Sequence, residues 1–346
     1  MAKWKQLFLA LLVLTVLAAC SNTGSSGTGA SDDSGGSGGD KISGNLNFYT
    51  SQPDADAQKL VSAFNEQYPD VKVSVFRSGT EDVISKIKAE KQAGGVQADV
   101  LLLADAVTFE NLKQEDMLLP YKSKEAADLP DKLVDPEGDY TGTKVMATAL
   151  VVNTEKVKNT PDSWQALTSA EAKGQAIMPS PLYSGAAAYN LGVLTRNQQL
   201  GWGFYEKLKN NDVTVTQGNG DVLKAVASGE KAYGMVVDFV VANAEKQGSP
   251  VKLVYPKEGV PVITEPIGIV KDTKNEPAAK AFVDFVLSEK GQKLAAELGY
   301  TPIRKGVEAP EGLKGIDKLN VLDADIAELY QARTEDKERF TDLFGK

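Results

Sequence analysis

Three extended runs near the start of the chain decide the fold: Leu46-Asn47-Phe48-Tyr49-Thr50, Val71-Lys72-Val73-Ser74-Val75-Phe76 and Ala98-Asp99-Val100-Leu101-Leu102-Leu103. In the second, Val71, Val73 and Val75 share one face, the period of a strand. The third is apolar after Asp99, as in a strand covered on both faces. Between them the period changes. Ala57, Leu60, Val61 and Phe64 recur at helical spacing within 54–68, and Val83, Ile84 and Ile87 do so within 80–92. A further helix is expected over 107–113. This βαβαβα order predicts a parallel sheet with helices on both faces.

The middle of the chain repeats the pattern. Strands are expected at 144–152, 175–178, 213–216, 232–237, 253–255 and 262–270. Helices are expected around Ser163-Trp164-Gln165-Ala166-Leu167 and at 186–195, 202–209, 221–228 and 240–247. The C-terminal part reads as helix over 277–287, 289–298 and 322–334. The fold class is therefore α/β, with two doubly wound units, and such units bind ligand in a crevice at the carboxyl ends of their strands.

Composition narrows the chemistry. The 346 residues include one cysteine and no histidine, with 38 basic residues against 47 acidic ones and a net charge of −9. Without histidine there is no Ser-His-Asp or Cys-His catalysis and no imidazole metal site. One cysteine permits no internal disulfide. The acidic balance argues against nucleic acid as a partner. No Gly-rich dinucleotide fingerprint or phosphate-binding P-loop occurs, so no nucleotide cofactor is expected. No metal is assigned.

The cysteine has a place of its own. Lys3 and Lys5 precede an apolar run over 7–17, too short to span a bilayer and suited to a signal h-region. It ends in Leu17-Ala18-Ala19-Cys20, which resembles the lipobox of bacterial lipoproteins. That resemblance implies cleavage after residue 19, lipid attachment at Cys20, and anchoring to the cell membrane by more than one acyl chain. Loss of Lys3 and Lys5 leaves 36 basic residues. Residues 21–40 contain seven glycines and six serines, the composition of a flexible tether with a reach of roughly 25 Å. The tether is drawn over 21–41.

Further stretches carry a second resemblance: Leu46–Ser51, Ala98-Asp99-Val100, Ala149–Thr154, Ser228-Gly229-Glu230-Lys231-Ala232, Pro266–Val270, Ala278–Ser288 and Gly291-Gln292. In this order and spacing the chain resembles the extracellular solute-binding lipoproteins of ABC importers. These have the type II periplasmic-binding-protein fold, and the branch in question contains ferric-iron, thiamine, hexose-phosphate and aminoethylphosphonate binders. The resemblance implies two lobes joined by two crossing strands that close like a hinge. The crossings fall near Thr148–Val152 and Ile263–Ile267. Lobe one then comprises 42–147 and 267–346, and lobe two 148–266. It also implies a monomeric, non-enzymatic, extracytoplasmic receptor that docks on a permease with a cytoplasmic ATPase.

Ferric binders of this branch place a tyrosine pair where this chain has Val237-Asp238-Phe239-Val240, and some place a histidine where it has Ser51-Gln52-Pro53. A small anionic solute, phosphonate or phosphorylated, fits better; ferric iron, free or chelated, is the alternative. Ser184-Gly185-Ala186 matches a family turn that holds an anion, and free N–H groups at a helix N-terminus favour one. Arg77-Ser78-Gly79-Thr80 opens another helix, making Ser78, Gly79 and Thr80 candidates, and Ser51 offers a hydroxyl. Asp238 and Asp105, each following a buried strand, are candidate carboxylates for an ammonium or a sugar hydroxyl. Tyr183 and Tyr49 lie near the expected crevice. An extracellular hydrolase with Ser184 as nucleophile lacks a base, since no Ser-x-x-Lys surrounds it.

Overall fold

The computed structural model describes residues 41–322 and 324–345. The signal, Cys20 and the tether up to residue 40 lie outside them. In chain order the main elements are β1 (Gly44–Thr50), α1 (Asp54–Gln67), β2 (Val71–Arg77), α2 (Thr80–Gln92), β3 (Val100–Leu102), α3 (Ala106–Gln114), β4 (Leu118–Leu119) and β5 (Thr141–Asn153). These are followed by β6 (Ala176–Pro179), α4 (Gly185–Arg196), α5 (Gly201–Asn210), β7 (Thr214–Thr216), α6 (Asn219–Ala227), β8 (Tyr233–Val237), α7 (Asp238–Lys246) and β9 (Val251–Val254). The chain closes with β10 (Val262–Val270), α8 (Glu276–Leu287), α9 (Glu289–Glu297), β11 (Thr301–Pro302) and α10 (Ile326–Phe344). The helix expected around Trp164 is a short 3₁₀ turn over Trp164–Thr168, capped by Ser163.

The elements build two sheets that share one strand. In the first, β2, β1 and β3 are parallel, and β10 then pairs antiparallel with both β3 and β5. In the second, β7, β6 and β8 are parallel, and β8 and β9 pair antiparallel with β5. The strands of the βα units are thus parallel, as expected, and the crossing strands β5 and β10, with β9, make the sheets mixed. The strands that return from one half to the other enter against the direction of the βα units. β5 belongs to both: Thr141–Ala147 pairs with β10, and Thr148–Asn153 pairs with β8 and β9. All 13 of its residues are buried. β5 and β10 are the two strands that carry the chain between halves.

Each half has its own apolar centre. In the first, Phe48, Phe64, Phe282 and Phe285 cluster with ring centroids 4.8–5.7 Å apart. In the second, Trp164, Phe204, Tyr205 and Leu208 are buried together. Helix α10 does not stay with the first half, where residues 267–346 were expected. Its Phe340 and Phe344 enter the core of the second half, while it also packs along α3. The charged run Glu335–Arg339 hides this, because the anchoring aromatics follow it at i, i+4 spacing.

Several stretches that carry the family resemblance have architectural work. Asp99 accepts from the Asn47 N–H (2.7 Å), the Thr273 hydroxyl (2.7 Å) and the Lys274 N–H, tying β1 to the turn after β10. A side chain at Gly291 would put its Cβ 2.2 Å from the Phe285 carbonyl oxygen, so α8 and α9 join tightly only with glycine there. Gln292 donates to the Thr143 carbonyl and accepts from Ile303 N–H, fixing β5 to the C-terminal segment. Among the described residues no helix is long and apolar enough to cross a membrane.

Candidate functional site

The carboxyl ends of six parallel strands, three from each sheet, converge on one cavity of about 310 Å³. From the first half come Ser51 and Gln52 after β1, Arg77 at the end of β2 with Gly79 and Thr80 after it, and Ala104 after β3. From the second come Tyr183 to Ala186 after β6, Gln217 to Asp221 after β7, and Phe239 after β8. Met146 of β5, Glu265 of β10 and Tyr300 complete the walls.

This convergence also aims helix starts at the cavity. Helices α2, α4 and α6 begin at Thr80, Gly185 and Asn219, all in its wall. Their first N–H groups have no intrahelical acceptor, and the helix dipoles add partial positive charge. Ser184 caps α4 by accepting from Ala187 N–H at 3.3 Å, and the first α4 bond runs from Ala188 N–H to the Ser184 carbonyl. The Gly185 and Ala186 N–H groups precede that bond. Arg77 adds a full positive charge; its Nε donates to the Gln52 carbonyl at 2.8 Å.

The halves touch across the cavity. Glu81 N–H donates to the Tyr183 carbonyl at 3.3 Å, and Arg77 Nη1 lies 3.5 Å from the Tyr183 hydroxyl. Two glycines make this approach possible. A Cβ on Gly79 would sit 2.6 Å from the Tyr183 carbonyl oxygen. One on Gly185 would sit 2.6 Å from the Ala104 carbonyl oxygen and 2.8 Å from Thr80 Oγ1.

Ser51, Gly79, Thr80, Ser184, Gly185 and Ala186 all line the cavity. Ser51 Oγ accepts from Ala104 N–H, and the buried Thr80 hydroxyl has no hydrogen-bond partner. Ser78, Asp105 and Asp238 do not line it. The Ser78 hydroxyl donates to Asp82 within its own helix turn. Asp105 is fully buried as the cap of α3 at φ 90°, and its carboxylate is held by Arg333 at 2.9 and 3.1 Å. Asp238 opens α7 with its side chain turned inward. It accepts from Ala147 N–H, Phe239 N–H and the Tyr255 hydroxyl, and burial pushes its pKa up to about 7. Each aspartate follows a strand as expected, but spends its charge on an internal partner. Of the two tyrosines, Tyr183 lines the cavity, while Tyr49 bonds Glu90.

The cavity's own carboxylates, Glu265 and Asp221, were not among the sequence candidates. The register of β10 against β5 shifts between Thr264 and Pro266, and Glu265 lies at that irregularity, which re-aims its side chain. Glu265 forms a buried ion pair with Lys144, whose ammonium also lies over the Tyr300 ring. Nothing in the local pattern of β10 marks such a position. The Gln217-Gly218-Asn219-Gly220-Asp221 turn, by contrast, has the strand–turn–helix pattern already used for Ser184 and was open to the same reasoning. Elsewhere, Asp135, Glu137 and Asp139 gather their carboxylates closely, but the Lys113 ammonium lies between them at 2.8–3.6 Å and fills the place a cation would take.

A family model described as bacterial extracellular solute-binding protein matches residues 59–318. The chain belongs to that family. Among its relatives is an uncharacterized protein of Haemophilus influenzae, 29% identical over 274 residues, covering 76% of this chain and 78% of the relative. Iron uptake protein A1 of Synechocystis sp. is 24% identical over 280 residues, covering 76% of each. Among solved structures, the periplasmic binding protein AfuA from Actinobacillus pleuropneumoniae, with exogenous fructose-6-phosphate bound, matches with a TM-score of 0.80 and 25% identity. That match covers 87% of this chain and 98% of AfuA. The architecture is that of the periplasmic binding proteins, of which AfuA is one.

Proposed function

We propose that this chain is the extracytoplasmic solute-capturing component of an ABC importer, anchored through a lipid on Cys20, and that it closes on a small anionic solute, a phosphonate or a phosphorylated organic compound. The supporting observation is the cavity itself. Helix N-termini from both halves and Arg77 face a space of about 310 Å³, the size range of small-molecule sites. An anion between the halves would accept from both and hold them together. Its two lobes are residues 42–147 with 267–346, apart from the shared helix α10, and residues 148–266. The contacting residues are Ser51, Gly79, Thr80, Ser184, Gly185 and Ala186, joined by Arg77 and the 217–221 turn. The solute leaves unaltered, and a monomer delivers it to the permease and its ATPase.

Ferric iron, free or chelated, is the second reading. It draws on the name of the Synechocystis relative and on the oxygen groups of Glu265, Asp221 and Tyr183 in the wall, which are hard ligands suited to such an ion. Thermal melting of the purified chain against phosphonates, sugar phosphates, thiamine and ferric citrate tests both. A rise in melting temperature with a phosphorylated compound, recovered unchanged, is expected. A rise with ferric salts alone, with a charge-transfer band, overturns the anion reading in favour of iron.

A further inference from the structure

Helix α10 is tied to both halves by separate sets of side chains. On the first half, Arg333 donates to both Asp105 oxygens (3.1 and 2.9 Å), to Glu81 (2.9 Å) and to the Thr108 hydroxyl, and Lys337 pairs with Glu81 at 2.5 Å. On the second half, Arg196 of α4 pairs with Glu328 at 3.0 Å and Asp336 at 2.7 Å. Phe340 and Phe344 enter the core there, and Leu329 lies so close to Gly192 of α4 that a Cβ would meet it at 2.7 Å.

The first-half residues held in this way adjoin the points where the halves meet. Glu81 gives its N–H to Tyr183, and Asp105 directly follows Ala104, whose carbonyl oxygen abuts Gly185. A hinge opening that separates Glu81 from Tyr183 must move α2 and the start of α3 relative to α4. A helix tied to both sides then has to release one of them.

We propose that α10 is a strap that holds the two halves in the closed arrangement, with Arg333 as the positioning residue that sets how firmly they stay shut. Arg333 suits this role because its planar fork grips both oxygens of Asp105 while still reaching Glu81, a bidentate geometry that a lysine ammonium does not reproduce. The two sets of ties act in series. Losing either one frees the strap, and losing the second afterwards changes little more.

The distance between spin labels placed at K72C and K173C, one on each half and both exposed, tests this in the full chain carrying Cys20→Ser. Without added solute, Arg333→Gln should raise the open-to-closed ratio by about fivefold or more, the scale of a coupling free energy of about 1 kcal/mol, and Arg196→Gln should raise it by less, because Phe340 and Phe344 still hold α10 to the second half. The double variant should open no further than the stronger single one, and Arg333→Lys should fall between wild type and Arg333→Gln. If neither single variant changes the distances, or if the two effects add fully, the strap is refuted. Arg196→Gln, at a more exposed site, carries the test should Arg333→Gln fail to fold. The measurement needs no solute, so its outcome is independent of the anion reading.

Discussion

Replacing Gly185 by alanine separates closure from folding. Gly185 is the first residue of α4 and has no positive φ, so alanine fits its backbone. Alanine is also the better helix former, by up to about 1 kcal/mol. The conflict lies across the cavity. The added Cβ would lie 2.6 Å from the Ala104 carbonyl oxygen, 2.8 Å from Thr80 Oγ1 and 2.9 Å from Thr80 Cβ, whereas ordinary contacts begin at 3.4 Å. The halves must therefore stay apart by about 0.8 Å at this point. Overpacking of this kind costs about 1–3 kcal/mol, and here the cost falls only on the closed arrangement. Affinity should drop by about 5- to 150-fold, while the melting temperature of the unliganded chain holds or rises. Titration calorimetry, using the compound that gives the largest melting shift, measures the first, and a thermal melt measures the second. Wild-type affinity in Gly185→Ala would show that binding does not require this approach of the halves, and the closure argument would fail.

Three further outcomes follow from the same contacts. Arg77→Gln removes the only arginine in the cavity wall; affinity for an anionic solute should fall about tenfold or more and depend less on salt, as calorimetry at two ionic strengths would show. Asp238 has its folded pKa raised from 3.8 to about 7 by burial, so the native state binds the extra proton more tightly. Its stabilising contribution is complete below about pH 4 and is lost as pH rises through 7, by at most about 4 kcal/mol. Urea denaturation at pH 5 and 8 should show this loss, and Asp238→Asn should remove much of it. Lys144→Met would leave Glu265 buried without its cation and should destabilise the chain by about 3–5 kcal/mol in urea, and adding Glu265→Gln should recover much of the loss.

Much of the molecule was legible because local period and burial agree. The helix over 80–92 and the strand over 262–270 match the expected limits, and six of the nine solute-contact candidates line the cavity because strand ends face it by construction. Orientation was less legible than position. Asp105 and Asp238 stand where a ligand carboxylate would, but Arg333, 228 residues away, and Tyr255 claim them. Glu265 faces the cavity through a register shift that only the pairing of β5 with β10 reveals. Helix α10 extends ten residues past its expected end because Phe340 and Phe344 find a core built largely from residues more than a hundred positions earlier.

The way the first sheet is assembled also sets an order of events. Its centre is β10, beside β3 and β5, and Asn275 ties down the start of β1 by donating to the carbonyls of Ser43 and Asn45. A growing chain therefore carries β1, β2 and β3 for more than 150 residues before the strand that completes their sheet is made. The second half, residues 148–266, is continuous, and its core is completed later still by Phe340 and Phe344 of α10. Loop closure over such distances is slow and leaves strand edges unpaired meanwhile. Until β10 is made, β1, β2 and β3 therefore wait with one edge of their sheet open.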